Sequence, residues 1–418
     1  MVRPAARRKG RAVLPATYRH LLRTPGAAAF FLTAVAGRVG IAMTSLGLVW
    51  LIHSRTGSYA VAGLVTGGFA VAEALAGTQL GRLVDRFGQT RVLPPALLAH
   101  ASAVAVLLTL VASGDPAWSL TAAGVAAGAS IPQLGALSGA RWAALLNGGR
   151  SAELPTAFAL ESLGNGFAYL AGPVLVSVAG ASGHPALGSA LAAALVVGGG
   201  LALAAQRRTA PPPASGAAER RQARRSLLRP GFAVLAGVNL AIGVFFGAMQ
   251  VSVAAFAVEH GVPAAAAPLY AASSCGELLS GWLYGVRRWR AAPRVQLAVG
   301  TSVLAVCCLS LPVTDSFPGM GVAVALTGMT IPPVLVLTGV LTQATVHRYV
   351  LTQAFTWLNS ASAAGSAIAA AASGRAVDTF GAAGGFTIAC AATVTMTLLA
   401  VAGLHALRPS PGEPAIDT

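Results

Sequence analysis

Charge is scarce in this 418-residue chain: Asp, Glu, Lys and Arg together make up 10% of it, against about 25% in soluble globular proteins. There are 12 acidic residues, and the 28 basic ones include a single lysine, Lys9. So thin a charge count excludes an ordinary soluble domain. The four cysteines, Cys275, Cys307, Cys308 and Cys390, all lie in apolar stretches and lack zinc-site spacing. They read as small packing residues, and no metal is expected. No G-x4-G-K-S/T loop occurs, which excludes ATP-driven pumping by this chain. His53, His184 and His260 stand singly at span ends or in loops. With no nucleophile constellation or carboxylate pair either, nothing calls for an enzyme or a cofactor.

What the chain has is hydrocarbon-seeking length. It is 55% hydrophobic, with a mean hydropathy of +0.71. A spanning helix needs roughly 20 apolar residues. Apolar windows bounded by charges or Gly-Pro clusters fall near 29–52, 59–80, 92–113, 117–140, 155–180 and 185–205. Six more fall near 232–256, 264–286, 295–313, 319–345, 352–373 and 384–407. The first is too long for the h-region of a signal peptide. The sequence therefore predicts an all-α membrane protein of twelve transmembrane helices. Its parts are a basic arm (1–25), six helices (26–205), a basic Pro-rich linker (206–230), six more helices (231–407) and a tail (408–418).

The net charge of +16 does not point to nucleic acid. Once the spans are drawn, every Lys and Arg except Arg38, Arg55 and Arg375 lies at one membrane face. Positive loops stay in the cytoplasm, so the arm, linker and tail are expected inside. The near-absence of lysine and the Ala/Gly richness hint at a GC-rich bacterial genome, which places the chain in a bacterial cytoplasmic membrane.

The two halves repeat each other. Glu73-x3-Gly77-x3-Gly81 matches Glu277-x3-Gly281-x3-Gly285; Gly128-x2-Ile131-Pro132 matches Gly328-x2-Ile331-Pro332; Leu154-x2-Ala157-Phe158 matches Leu351-x2-Ala354-Phe355. Three matches in the same order describe two pseudo-symmetric six-helix bundles in parallel repetition, an arrangement that places a substrate site near midplane between them. Small-residue pairs such as Gly77/Gly81 and Gly281/Gly285 let helix backbones approach.

One hinge is distinctive. Gly81 to Arg91 reads G-R-L-V-D-R-F-G-Q-T-R between two long apolar stretches, so it is a tight loop at a membrane face. Its G-x-L-x-D-R-x-G-x-x-R pattern resembles the loop 2–3 signature of the major facilitator superfamily. The resemblance implies a conformational latch: Asp85 engages nearby arginines and a helix end of the other half, Gly81 and Gly88 give close approach and a tight turn, and Arg82, Arg86 and Arg91 supply charge. The pseudo-equivalent loop after Gly285 continues V-R-R-W-R and lacks the aspartate. In helix 5, Ala159-x8-Ala168-x3-Gly172-Pro173 resembles, in weakened form, the small-residue motif of drug–proton antiporters, which tilts the expectation to efflux. One departure is that the arginine many proton-coupled exporters carry in helix 4 is here Leu120.

Ionisable residues inside spans are functional candidates, and there are four: Arg38, Glu73, Glu161 and Glu277. Arg38 and Glu73 sit at similar depth and are expected to pair, while Glu161 is assigned to Arg141 or Arg150. Glu277 has only Asn239 and Gln250 on the neighbouring helix and no cation, which makes it the leading coupling candidate. Met43, Thr44, Asn165, Tyr169, Asn239, Phe246, Gln250, Trp357 and Asn359 fall near span middles in helices that commonly line the facilitator cavity. The resulting expectation is a monomeric secondary transporter that uses protons to expel small lipophilic or amphipathic compounds. The alternatives are a carrier of a polar metabolite such as a sugar or amino acid, or a non-transporting membrane sensor.

Overall fold

The computed structural model describes residues 18–147, 149–181, 185–213, 216–287 and 289–407. The arm before Tyr18, the tail from Arg408 and Arg288 of the basic loops lie outside the described residues. Within them the chain is helical throughout, because a backbone in hydrocarbon must satisfy its own N–H and C=O groups. The helices are α1 (Tyr18–Leu22), α2 (Ala27–Thr56), α3 (Tyr59–Phe87), α4 (Gln89–Ser113), α5 (Ala117–Ser130), α6 (Leu134–Leu145) and α7 (Leu154–Ala181). They continue with α8 (Pro185–Ala205), α9 (Ala217–Ser226), α10 (Pro230–Glu259), α11 (Ala266–Val286), α12 (Pro293–Cys308), α13 (Phe317–Thr345) and α14 (Leu351–Ala402). Ten helical segments of the described residues are long and apolar enough to cross a membrane. That count takes α5 and α6 as one span and α14 as another, and leaves α11 out.

Two breaks interrupt this pattern. Between α5 and α6, Ile131 and Gln133 leave helical geometry on either side of Pro132 (ψ 122° and 84°). A proline removes an N–H and biases the residue before it away from the helix. The pseudo-equivalent Pro332 and Pro333 instead lie inside the continuous α13. In α14, Gly381 adopts φ 68°, ψ −171°, a conformation only glycine takes easily. The carboxylate of Glu259, at the end of α10, accepts from the N–H of Ala382 at 2.7 Å and so caps the helix that restarts there.

Packing is closest where small residues meet backbone. A β-carbon at Gly243 or Gly247 would collide with the carbonyls of Ser362 and Ser366, which seats α10 on α14; one at Gly40 would meet the carbonyl of Ala192, which seats α2 on α8. Gly172 of the helix 5 motif lies against Ala42 and Met43, and Ala168 is buried beside it. The motif's smallness thus serves contact between α7 and α2. Leu120, where an arginine would signal a proton relay, is buried apolar core. Cys308 and Cys390 are free thiols packed sulfur to sulfur at 3.6 Å, joining α12 to α14.

Candidate functional site

The helices α2–α8 meet α10–α14 mainly through four crossings: α3 with α14, α7 with α11, α7 with α13, and α6 with α14. The first two carry the repeated E-x3-G-x3-G frames. On α3, Gly81 lets Thr356 and Gln353 of α14 approach so closely that a β-carbon would lie 2.5 Å from the Thr356 hydroxyl. On α11, Gly281 faces Leu163 and Gly285 faces Ala159, both of α7. Side-chain hydrogen bonds between the two helix sets, among the described residues, run from midplane to the arginine-rich ends. Ser360 donates to the backbone carbonyl of Ala74 (2.7 Å), and the Asn359 side-chain amide donates to Oε1 of the Gln133 side chain (3.1 Å). Thr156 donates to the Gly285 carbonyl (3.0 Å). The arginine-rich face is closed.

Asp85 makes the most specific of these contacts. Its carboxylate accepts from the backbone N–H of Gln353 at 2.8 Å. Gln353 is the third residue of α14, so Asp85 takes the place of a capping residue for a helix in the other set. Gly88 has φ 90°, which explains the glycine at the turn. The arginines of the hinge do not pair with Asp85: among the described residues it has no ion pair, Arg86 lies over the ring of Phe87 at 4.8 Å, and Arg91 is exposed. A small crevice beside Asp85 is lined by Gln89, Pro211–Pro213 of the linker, Arg348, Tyr349 and Thr352.

The intramembrane charges pair differently from the expectation. Arg38 meets Glu161, at 2.7 Å, and not Glu73. Glu161 also accepts from Ser138 (2.5 Å) and the Trp142 indole (2.7 Å), so α2, α6 and α7 are joined by one buried network. Hydropathy could not anticipate this, because depth along a helix says nothing of its rotation. Arg141 is not a partner of Glu161. Fully buried, it donates to Gln89, to the carbonyls of Leu203 and Gln206, and to Thr209. Leu203 is in the last turn of α8 and Gln206 directly follows it, so the negative end of that helix dipole offsets the charge. Arg150 pairs with Glu153 at 2.7 Å.

Glu73 and Glu277 are thus left without an ion pair among the described residues. Each is half-buried, one helical turn deeper than the first glycine of its frame. Glu277 receives only a long hydrogen bond from Ser273 (3.5 Å). Of the cavity candidates, Tyr169, Phe246, Gln250, Trp357 and Asn359 are exposed within the spans, and Asn165 is half-buried. Met43, Thr44 and Asn239 are buried: Met43 packs with Ala168 of α7, and Asn239 donates to the carbonyl of Leu235 in its own helix. Thr44 lines a small crevice with Leu48, His100, Val104 and Ser189, between α2, α4 and α8. Gln133 escaped the sequence reading; the Ile131–Pro132 break was its only signal.

A family model for the Major Facilitator Superfamily matches residues 27–370. The chain belongs to the major facilitator superfamily. The family member's fold is also that of solved transporters. A crystal structure of the human organic anion transporter MFSD10 (TETRAN) aligns at TM-score 0.66 and 16% identity, covering 90% of this chain and 98% of that one. A bacterial homologue of the iron transporter ferroportin, in an outward-facing state, aligns at TM-score 0.72 and 14% identity, covering 90% and 98%. The transporter FucP, in the outward conformation, aligns at TM-score 0.66 and 16% identity, covering 90% and 96%. At such identities the likeness speaks for the fold alone. No curated protein matches the chain in sequence.

Proposed function

We propose that this facilitator is a twelve-span, proton-coupled exporter of small lipophilic or amphipathic compounds that works by alternating access. The twelve spans follow from the ten apolar segments by counting α11 and dividing α14 at Gly381. The helices then fall into two bundles of six, residues 26–205 and 231–407, joined by the linker. The arginine-rich face is assigned to the cytoplasm of a bacterial cell by the positive-inside rule. The closed gate on that face then makes the described conformation outward-facing, and rocking of the bundles would expose the midplane to the other side.

The observation that carries the coupling assignment is the pair Glu73 and Glu277. They occupy matching places in the two repeats, next to the gate crossings, with no ion-pair partner among the described residues. Such groups are suited to taking up and releasing protons as their surroundings change. Tyr169, Trp357 and Phe246, exposed within the spans, offer aromatic surface to lipophilic cargo. In proteoliposomes with an imposed proton gradient, Glu277→Gln and Glu73→Gln are each expected to reduce gradient-driven dye efflux while leaving dye binding in place. Undiminished gradient dependence in both variants would remove the coupling role from these residues.

A second reading, transport of a polar metabolite such as a sugar or amino acid, draws on the Gln133–Asn359 hydrogen bond at the midplane. Competition by sugars and amino acids against dye efflux would separate the two cargo classes. A protein that moves nothing when reconstituted would instead be a sensor.

A further inference from the structure

The two frames perform the same crossing, but only the first is followed by a carboxylate. Four residues beyond Gly81 stands Asp85, which reaches α14. Four residues beyond Gly285 stands Trp289, whose indole turns back on α11: it donates to the Tyr284 carbonyl at 3.2 Å and stacks on the Tyr284 ring at 5.0 Å. The second crossing therefore has no capping acid from its own loop.

Something else fills that place. Tyr18 comes from α1, which packs on α2 and α7. Its hydroxyl reaches the opposite set of helices and lies 3.0 Å from the carbonyl of Gly281 and 3.1 Å from that of Trp282. Gly285 is what admits it, since a β-carbon there would collide with the Tyr18 hydroxyl as well as with Ala159. Tyr18 thus moves with one half of the gate and is held by the other.

We infer that Tyr18 is a second gate latch, standing in for the carboxylate that the loop after Gly285 lacks. Separation of α7 from α11 breaks the hydrogen bond that its one O–H shares between these carbonyls, so the hydroxyl weights the equilibrium to the closed arginine-rich face. The arm is then part of the transport machinery, beyond its part in orienting the chain. This inference rests on the proposal that the arginine-rich face opens during transport.

The test uses the full-length protein in lipid nanodiscs, spin-labelled at Ala144 and Ala291, exposed positions near that face on opposite helix sets. Electron–electron distance measurements give the closed and open populations. Tyr18→Phe keeps the ring but removes the donor. It is expected to raise the open population roughly three- to ten-fold, as loss of one net hydrogen bond implies, without changing the melting temperature by more than a few degrees. Gly285→Ala, which evicts the hydroxyl, is expected to act in the same direction. If the wild type opens under a proton gradient and Tyr18→Phe leaves its populations unchanged, the latch is refuted. A wild type that stays at the closed distance under every condition refutes the opening of this face, and the latch with it.

Discussion

The carboxylate of Asp85, at the end of α3, accepts a hydrogen bond from the backbone N–H of Gln353, in the first turn of α14, at 2.8 Å. Two residues 268 positions apart are thereby joined as a helix and its cap, although they belong to opposite halves of the gate. Loss of a capping oxygen typically costs about 1 kcal/mol. Asp85→Ala is therefore expected to shift the populations toward an open arginine-rich face by roughly five-fold, with Asp85→Asn, which keeps an acceptor, shifting them less. Distance measurements across that face read the difference.

Gly81 supports the same crossing by having no side chain. A β-carbon there would stand 2.5 Å from the Thr356 hydroxyl and 3.2 Å from the Cα of Gln353. Gly81→Ala should push α3 off α14, favour the open face and slow transport. Gly67→Ala, also on α3 but with nothing within 4 Å of the new carbon, should leave transport unchanged. Equal effects from the two would show that helix propensity, and not the crossing, is at stake.

The Arg38–Glu161 pair gives a stability prediction. Both side chains are buried, and Glu161 is also held by Ser138 and Trp142. Removing one partner leaves an uncompensated buried charge, at a cost of about 3–5 kcal/mol. Arg38→Met and Glu161→Gln should each lower the melting temperature markedly, and the double variant should recover much of the loss. If the double variant were as unstable as the sum of the two singles, the pair would not be acting as a unit.

Gate closure at Tyr18 is expected to be independent of pH over the physiological range. Burial pushes the Tyr18 hydroxyl up to about 12 from its ordinary value of 10. The protonated hydroxyl is the donor, so the latch is fully present below pH 10 and is lost as pH rises through about 12. Any change in the closed population of wild type between about pH 6 and 9 should then survive in Tyr18→Phe. A pH response abolished by Tyr18→Phe would contradict this.

How much of this was legible beforehand depends on the kind of signal. Apolar windows marked spans such as α4 and α8 to within a few residues, because membrane burial acts on consecutive residues; α3 instead runs seven residues further, to Phe87, so the hinge read as a loop is helical except at Gly88. The hinge glycines were legible too: Gly88 adopts the positive φ that its turn requires. Which carboxylate Arg38 would choose was not, since Glu73 and Glu161 both lie in neighbouring apolar helices. Nor could the sequence say that Met43 would be fully buried while Trp357 stayed 47% exposed. Helices that are apolar on every side carry no moment to show which face turns inward.

By itself, then, the sequence determined that the chain is built for a bilayer, where most of its apolar windows lie, that its positive charge gathers in alternate connections between them, and that its two halves repeat. Each of these is written locally, in hydropathy, turn residues and recurring frames. Only the tertiary structure decided that Arg38 belongs to Glu161, that Glu73 and Glu277 have no ion pair among the described residues, and that the Tyr18 hydroxyl reaches the carbonyls of Gly281 and Trp282. Those relations depend on the rotation and crossing of packed helices, where glycines without side chains set the distance of approach and distant residues become neighbours.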